Sequence, residues 1–538
     1  MKIRKLLENI SYELIQGSLD EEICGICHND KVVEEGYCFV CISGSRFDSH
    51  KLIPFVAAKG AKLIVVEKDV EVPEGITVVK VADSRLASAL IACNFYDHPA
   101  EKLIMVGVTG SKGKTTITHM LANILRYAGN TVGTLGTIGA SIPKTDLSKS
   151  NTWGITKADV FDDEYTPNHY RFDYLNTTPD AMEVQMYLHH MVETGCKYCV
   201  MEASSAGLFM HRVGGITFDY GIWINIVHGD HVGGFEHKDF DEYFNAKAML
   251  LRQSRKGLVF AENEFSQRLL DTVIPDGKPL ERIYTFGSDP KWDYYGHNLE
   301  HTFNEKTRRP GLEFDIDGLL HRHVTSNFPG DYNMYNAMAA VIIADFLGVK
   351  DEKIINDALM HVHIRGRFEF VIDNPHFRVV TDFSHSRQST FAHLQAIREY
   401  RPKRLVCVYG TEGSRDYDRR VGMGEATAKC ADFSILTECH NRWETLEAVF
   451  RGALEGIEKA EKDMGHQANY IIIPNREQAI RYALEHVQDG DFITCLGLGH
   501  EEYLDRGEYL YPHDDKEVVR RISKELGLLE EDRDWTKK

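Results

Sequence analysis

Short apolar runs alternate with stretches of helical periodicity along nearly the whole chain, a pattern that predicts α/β architecture with parallel sheets. The runs at Tyr37–Ile42 and Leu63–Val66 predict strands in a first block, residues 1–100. A second block, 101–362, opens with the strand Leu103–Val108, and Lys197–Met201 and Tyr220–Ile224 predict two more strands within it. A third block, 363–538, carries predicted strands at Arg378–Thr381, Leu405–Tyr409, Ser434–Thr437, Tyr470–Ile473 and Phe492–Leu496, with helical stretches between them. That alternation predicts a doubly wound, Rossmann-like domain. The polar, aromatic and acidic stretch Ser148–Tyr174 is expected to be an inserted loop.

The most informative punctuation follows the strand at 103–108. Gly110, Ser111, Lys112, Gly113, Lys114, Thr115 and Thr116 form a glycine-rich turn ahead of a helix with apolar residues at Ile117, Met120, Leu121, Ile124, Leu125 and Ala128, stopped by Gly129. Backbone N–H groups in such a turn curl around phosphate oxygens, and the helix N-terminus adds its partial positive charge. Lys114 is expected to reach the β- and γ-phosphates of ATP, and Thr115 to hold Mg²⁺. The spacing departs from the common Walker pattern, since Val108 stands where its first glycine belongs. The strands at 197–201 and 220–224 end in polar residues: Glu202 then Ser204, and Asn225 then His228, Asp230 and His231. Ligands gather at the carboxyl ends of strands in open α/β sheets, so Glu202 and His231 are candidate Mg²⁺ ligands. Lys247, by composition alone, reads as a surface lysine on a helix.

The length of 538 residues fits several domains at roughly 100–200 residues each. With a formal charge of −19 and no basic patch, a nucleic-acid partner is not expected; anionic ligands must be met by local positive charge. The first 18 residues have no long apolar core, and no run long enough to span a bilayer occurs, so neither a secretion signal nor a membrane contact is expected. Eleven scattered cysteines suit a reducing cytoplasm. Cys24, Cys27, Cys38 and Cys41 have the spacing of a zinc site, but Cys38 and Cys41 also lie on an apolar strand, where residues three apart face opposite ways. Cys439 has His440 as its only evident base partner, which makes it a weak nucleophile candidate.

Taken in order, these segments resemble the Mur ligase family, in the arrangement of its UDP-N-acetylmuramoyl-tripeptide synthetase type. The resemblance rests on Gly36–Gly44 with Asp48–His50, the loop Gly110–Thr116, Asn176–Asp180, Met201–Ser205, Ala246-Lys247, Gly330–Asn336, Gly366–Glu369, Asp382–His385, Gly410–Asp416 and Gly497–Glu501. It implies a UDP-substrate domain (1–100), a central ATP-binding phosphate-loop domain (101–362) and a C-terminal amino-acid-binding domain (363–538). It implies an acid–amino-acid ligase that extends a UDP-linked muramoyl peptide by one free amino acid through an acyl phosphate, in cell-wall precursor synthesis. ATP contacts are implied at Asn333, Asn336, Arg367, Asp382 and Arg415, and a metal-binding carbamate at Lys247. Peptide contacts are implied at Asn176, Thr177, Thr178 and Ser204, and contacts to the amino acid at Arg442, Gly497 and Glu501. A cytoplasmic monomer using ATP and Mg²⁺ is the expected form.

Both recognition ends depart from the family pattern. Asn29-Asp30-Lys31 stands for Asp-Ser-Arg, Cys439-His440-Asn441-Arg442 for Asp-Asn-Pro-Arg, and Leu498 for a lysine. These changes motivate one alternative, the same chemistry on a different carboxylate. A second alternative is a nucleotide-binding scaffold without activity.

Overall fold

The computed structural model describes residues 1–44, 47–144, 160–162, 164, 166, 168–172, 176–227, 236–273, 281–305 and 309–529. The chain forms two compact units. One comprises 1–297, 315–322 and 335–359; the other comprises 298–314, 323–334 and 360–538.

The first unit opens with a five-stranded sheet in the order Glu13–Gln16, Thr77–Lys80, Leu63–Val66, Tyr37–Val40, Gly25–Cys27, parallel except for the first strand. Alternate residues bury opposite faces. Cys38, Val40, Leu63 and Val65 pack with Ala87 and Ile91 of the helix Ser84–Phe95, while Phe39, Cys41, Ile64 and Val66 pack with Ile53 and Val56. The cysteine question is decided by this pleat: Cys38 and Cys41 lie on opposite faces, and Cys24 is exposed. Burial pushes the thiols of Cys27 and Cys41 up to about 12, as expected of small buried hydrophobes. Among the described residues no three His, Cys, Asp or Glu side chains, these cysteines included, are grouped to hold a metal ion.

A larger sheet follows in the same unit. Its centre runs Ser254–Phe260, Phe218–Trp223, Ile104–Thr109, Tyr198–Glu202, Val132–Gly136, all parallel. The strand ahead of the phosphate loop therefore lies between the two strands whose polar ends the sequence singled out. Glu202 is in register with Val108, and Trp223 with Thr109. The expectation of a loop at 148–174 is corrected in part. Val160–Asp162 and His169–Phe172 are strands, paired antiparallel to each other and, through the second, to Gly139–Pro143. The remainder of that stretch lies largely outside the described residues.

In the second unit a sheet runs Glu369–Asp373, Phe377–Asp382, Asp491–Leu496, Arg404–Gly410, Phe433–Thr437, Tyr470–Ile472, parallel except for the first strand. It contains all five strands predicted for the third block. Helices cover both faces. Leu394, Ile397, Met423 and Phe450 bury one side, and Ala479, Ile480, Val519 and Ile522 the other. This is the doubly wound arrangement the alternation predicted.

Candidate functional site

The phosphate loop is held from beneath by the neighbouring strand end. Asn225 accepts through its side-chain oxygen from the Lys112 N–H (2.9 Å), and its backbone carbonyl accepts from the Ser111 N–H (3.0 Å). The Ser111 hydroxyl meets the Tyr243 hydroxyl at 2.7 Å and accepts from the Val227 N–H at 3.0 Å. Gly113 has φ +89° and caps the helix Lys114–Tyr127, and a Cβ there would sit 2.7 Å from the Asn336 side-chain oxygen. Only glycine meets both conditions. The helix buries Ile117, Met120, Leu121, Ile124 and Leu125, the predicted apolar face. Lys112 and Thr116 lie within the same loop and first helical turn.

Glu202 is fully buried beside this loop. Its Oε2 accepts from the Thr115 hydroxyl (3.1 Å) and the Thr137 hydroxyl (2.9 Å), and its Oε1 from the Thr137 N–H (2.8 Å). The carboxylate is thus oriented by the first turn of the helix Lys114–Tyr127 and by the residue after the strand Val132–Gly136. Gly136 makes room for it, since a Cβ there would lie 2.3 Å from Oε1. Lys114 and Lys247 each donate through Nζ to the Gly110 carbonyl at 2.9 Å. Lys247 is 1% exposed, with its Nζ 4.8 Å from the Tyr243 ring centre. The expectation of a surface lysine is therefore overturned: the helix Phe240–Arg252 turns Lys247 inward with Tyr243, Phe244, Leu250 and Leu251. His231 lies outside the described residues.

Thr178 organises the adjoining turn. Its hydroxyl donates to the Glu202 carbonyl (2.9 Å) and accepts from the Ser204 N–H (2.9 Å), and its carbonyl accepts from Arg212 (2.8 Å). Ser204 spends its own hydroxyl on the Gly207 N–H, as a helix cap. The Thr177 hydroxyl lies 3.2 Å from that of Thr137, whose single proton goes to Glu202, and Asn176 is exposed. Asp180 ends the turn between His28 (3.5 Å) and Arg212 (3.2 Å), which hold its carboxyl below the usual range, with the His28 contact the larger cause. Asn29 accepts from the Lys31 N–H, a local cap on a short helical turn.

A hydroxyl and a buried carboxylate are hard oxygen donors, the set that suits Mg²⁺, which takes one or two carboxylates and completes its shell from water and phosphate. Among the described residues no three His, Cys, Asp or Glu side chains form an all-protein cage. Thr115 and Glu202 are the residues that would hold the ion.

The remaining candidates lie in the second unit. Asp382 accepts from the Ser384 N–H (2.8 Å) and hydroxyl and from the Phe368 N–H (2.8 Å). Arg367 lies 4.6 Å from the Phe383 ring centre, and Asn333 donates to the Pro329 carbonyl at 2.7 Å. Arg442, Arg415 and Arg419 converge on Glu412, at 3.1, 3.8 and 3.8 Å. Arg442 also donates to the Gly413 carbonyl (2.8 Å). Glu501 pairs with His440 at 2.8 Å, and Gly497 donates its N–H to the Asp382 carbonyl at 3.1 Å. Burial pushes the Cys439 thiol up to about 12, so it holds no thiolate at neutral pH and is no nucleophile.

Thr137 and Tyr243 escaped the reading of the sequence. Neither sits in a motif, although Thr137 directly follows a strand end and Tyr243 lies one turn before Lys247.

Comparison with known proteins places the chain among relatives of known family. Residues 108–344 match the sequence model of the Mur ligase middle domain, and 366–499 that of the Mur ligase glutamate ligase domain. The chain is 34% identical to UDP-N-acetylmuramoyl-L-alanyl-D-glutamate–2,6-diaminopimelate ligase 1 of Clostridium acetobutylicum, over 98% of this chain and 100% of that one. It is 32% identical to the corresponding ligase of Caldanaerobacter subterraneus subsp. tengcongensis, over 97% and 99%. A solved diaminopimelate ligase of the same name shares the fold with TM-score 0.63 at 22% identity, covering 98% of this chain and 99% of that one. A MurF ligase of Thermotoga maritima, solved with ADP, does so with TM-score 0.57 at 16% identity, covering 94% and 98%.

Proposed function

Because this chain belongs to the Mur ligase family, we propose that it joins diaminopimelate to UDP-N-acetylmuramoyl-L-alanyl-D-glutamate at the expense of ATP. The observation that carries the chemistry is the convergence of Lys114, Lys247 and the Thr115–Glu202 pair on one strand-end crevice. Full-length similarity to diaminopimelate ligases supports the choice of substrates.

In this reading a substrate carboxylate takes the γ-phosphoryl group of ATP, and the amine of the incoming amino acid displaces phosphate from the resulting acyl phosphate. The first step brings two anions together, and the chain answers with positive charge. The loop N–H groups and Lys114 hold the triphosphate, in line with a transfer whose catalysis is positioning plus electrostatics. Mg²⁺, when bound at Thr115 and Glu202, supplies further charge neutralisation on the transferred group. Thr178 and Ser204 place the muramoyl peptide beside the loop. Glu501 takes an ammonium of the amino acid, and Arg442 a carboxylate, the latter in competition with Glu412. A carbamate on Lys247 would turn one of the two cations that meet at the Gly110 carbonyl into an anion able to bind metal. We further read 1–100, 101–362 and 363–538 as the UDP-end, ATP and amino-acid domains of a cytoplasmic monomer, with His231 a candidate Mg²⁺ ligand and Asn336 a candidate ATP contact. Supporting the compartment, the cysteines among the described residues are free.

The deciding measurement is phosphate release from ATP with the muramoyl dipeptide and diaminopimelate, each present alone and together. Release only with both is expected. Turnover confined to another carboxylate would favour the alternative that the altered Asn29–Lys31 segment motivates, and no ATP cleavage with any pair would reject ligase activity.

Gly136→Ala offers a milder probe. The new methyl must displace the Glu202 carboxylate, so kcat/KM is expected to fall about 100-fold, the scale of an ångström's misplacement in an active site. Wild-type turnover in this variant would show that the carboxylate need not stay where the structure puts it.

A further inference from the structure

His440 stands where the family pattern has asparagine, and its surroundings give it a defined task. The ring is 1% exposed. Its Nδ1 faces the backbone N–H of Asp505 at 2.9 Å, and its Nε2 faces Oε2 of Glu501 at 2.8 Å. A backbone N–H can only donate, so Nδ1 must be the unprotonated nitrogen; the proton sits on Nε2 and is given to the carboxylate. The loop is stitched from both sides. The Arg442 N–H donates to the Asp505 carbonyl (2.9 Å), and the His440 carbonyl accepts from the Gly413 N–H (2.7 Å). The imidazole is therefore fixed, and Glu501 is oriented by it. A neutral donor in this place has a particular consequence. Lysine or arginine would also hold the carboxylate but would cancel its charge, whereas a neutral imidazole orients the anion and leaves its charge for a cationic ligand.

We propose that His440 is a positioning residue for the incoming amino acid: its Nε2–H holds the Glu501 carboxylate in the orientation that receives the substrate's ammonium. This rests on the assignment of Glu501 made under the proposed function.

The test compares His440→Ala, His440→Gln and His440→Asn by phosphate-release kinetics with the muramoyl dipeptide, ATP and varied diaminopimelate. The glutamine amide reaches the place of Nε2 and can donate to Glu501; asparagine keeps the acceptor for the Asp505 N–H but not the reach. The KM for the amino acid is expected to rise about tenfold or more in the alanine and asparagine variants, the worth of a hydrogen bond to a charged group. Glutamine is expected to bring it back to within about threefold of wild type, with kcat at saturation and the KM for ATP nearly unchanged throughout. A purely structural role predicts the reverse rescue, asparagine rather than glutamine, together with a fall in kcat and thermal midpoint; that result, or an unchanged KM in the alanine variant, overturns the proposal. Should the alanine variant not fold, the glutamine–asparagine contrast decides alone. Wild-type protein that releases no phosphate in response to any amino acid would overturn the functional reading and this proposal with it. Normal wild-type turnover with an indifferent His440 would remove this proposal only.

Discussion

Glu202→Ala is expected to lower ligation kcat/KM by about 1,000-fold, the upper range for loss of a single charged group aimed at a transferring phosphoryl centre. Glu202 is fully buried, and its carboxylate receives three donors: two hydroxyls and one N–H. Alanine removes the charge and also orphans those donors, at about 1–3 kcal/mol for a buried unsatisfied group. Its thermal midpoint should therefore drop along with activity. Glu202→Gln separates the two effects. The amide oxygen still accepts from the Thr137 N–H and the shape is kept, so the midpoint should stay close to wild type, while the negative charge needed opposite a metal ion is gone. Activity in the glutamine variant is expected to fall nearly as far as in alanine. A glutamine variant within tenfold of wild type would show that Glu202 is a structural bracket for Thr115 and Thr137 and nothing more.

Much of this arrangement was readable because its determinants are local. A strand, a glycine turn and an amphipathic helix are successive in the chain, and the apolar positions from Ile117 to Leu125 fix which side of the helix is buried. The five strands of the last block were legible for the same reason. What escaped depends on contacts between distant residues. Thr137 reaches Glu202 across 65 positions, and Tyr243 reaches Ser111 across 132. The strands Val160–Asp162 and His169–Phe172 lie at an outer edge of their sheet, where backbone pairing suffices and no apolar alternation is required. Lys247 is a different case, since its burial was in principle visible. Tyr243, Lys247 and Leu250 recur at the spacing of one helical face, and a lysine on an apolar stripe must find a partner inside the fold. Judged by residue type alone, it passed for a surface side chain. Arg442 illustrates the converse: its pairing with Glu412, thirty positions away, could not be read from the motif in which it sits.

Lys247→Met should reduce kcat by about 1,000-fold while leaving the fold intact, a loss on the scale of removing a charged group from a phosphoryl-transfer site. Methionine fills nearly the same volume, so the helix Phe240–Arg252 keeps its packing and the midpoint should hold. The informative comparison is Lys247→Arg. Lys114 and Lys247 both donate to the Gly110 carbonyl, so the charge at position 247 is what the comparison tests. If Lys247 acts as its carbamate, arginine is no substitute, because a guanidinium forms no such adduct, and the arginine variant should be as impaired as methionine. The same reading makes wild-type turnover depend on dissolved CO₂. Rates should fall in buffer stripped of bicarbonate and return when it is restored, and neither variant should respond. If arginine instead restores activity and bicarbonate has no effect, Lys247 works as a plain ammonium beside the phosphates. The buried lysine then belongs with Lys114 in the cationic lining of the loop.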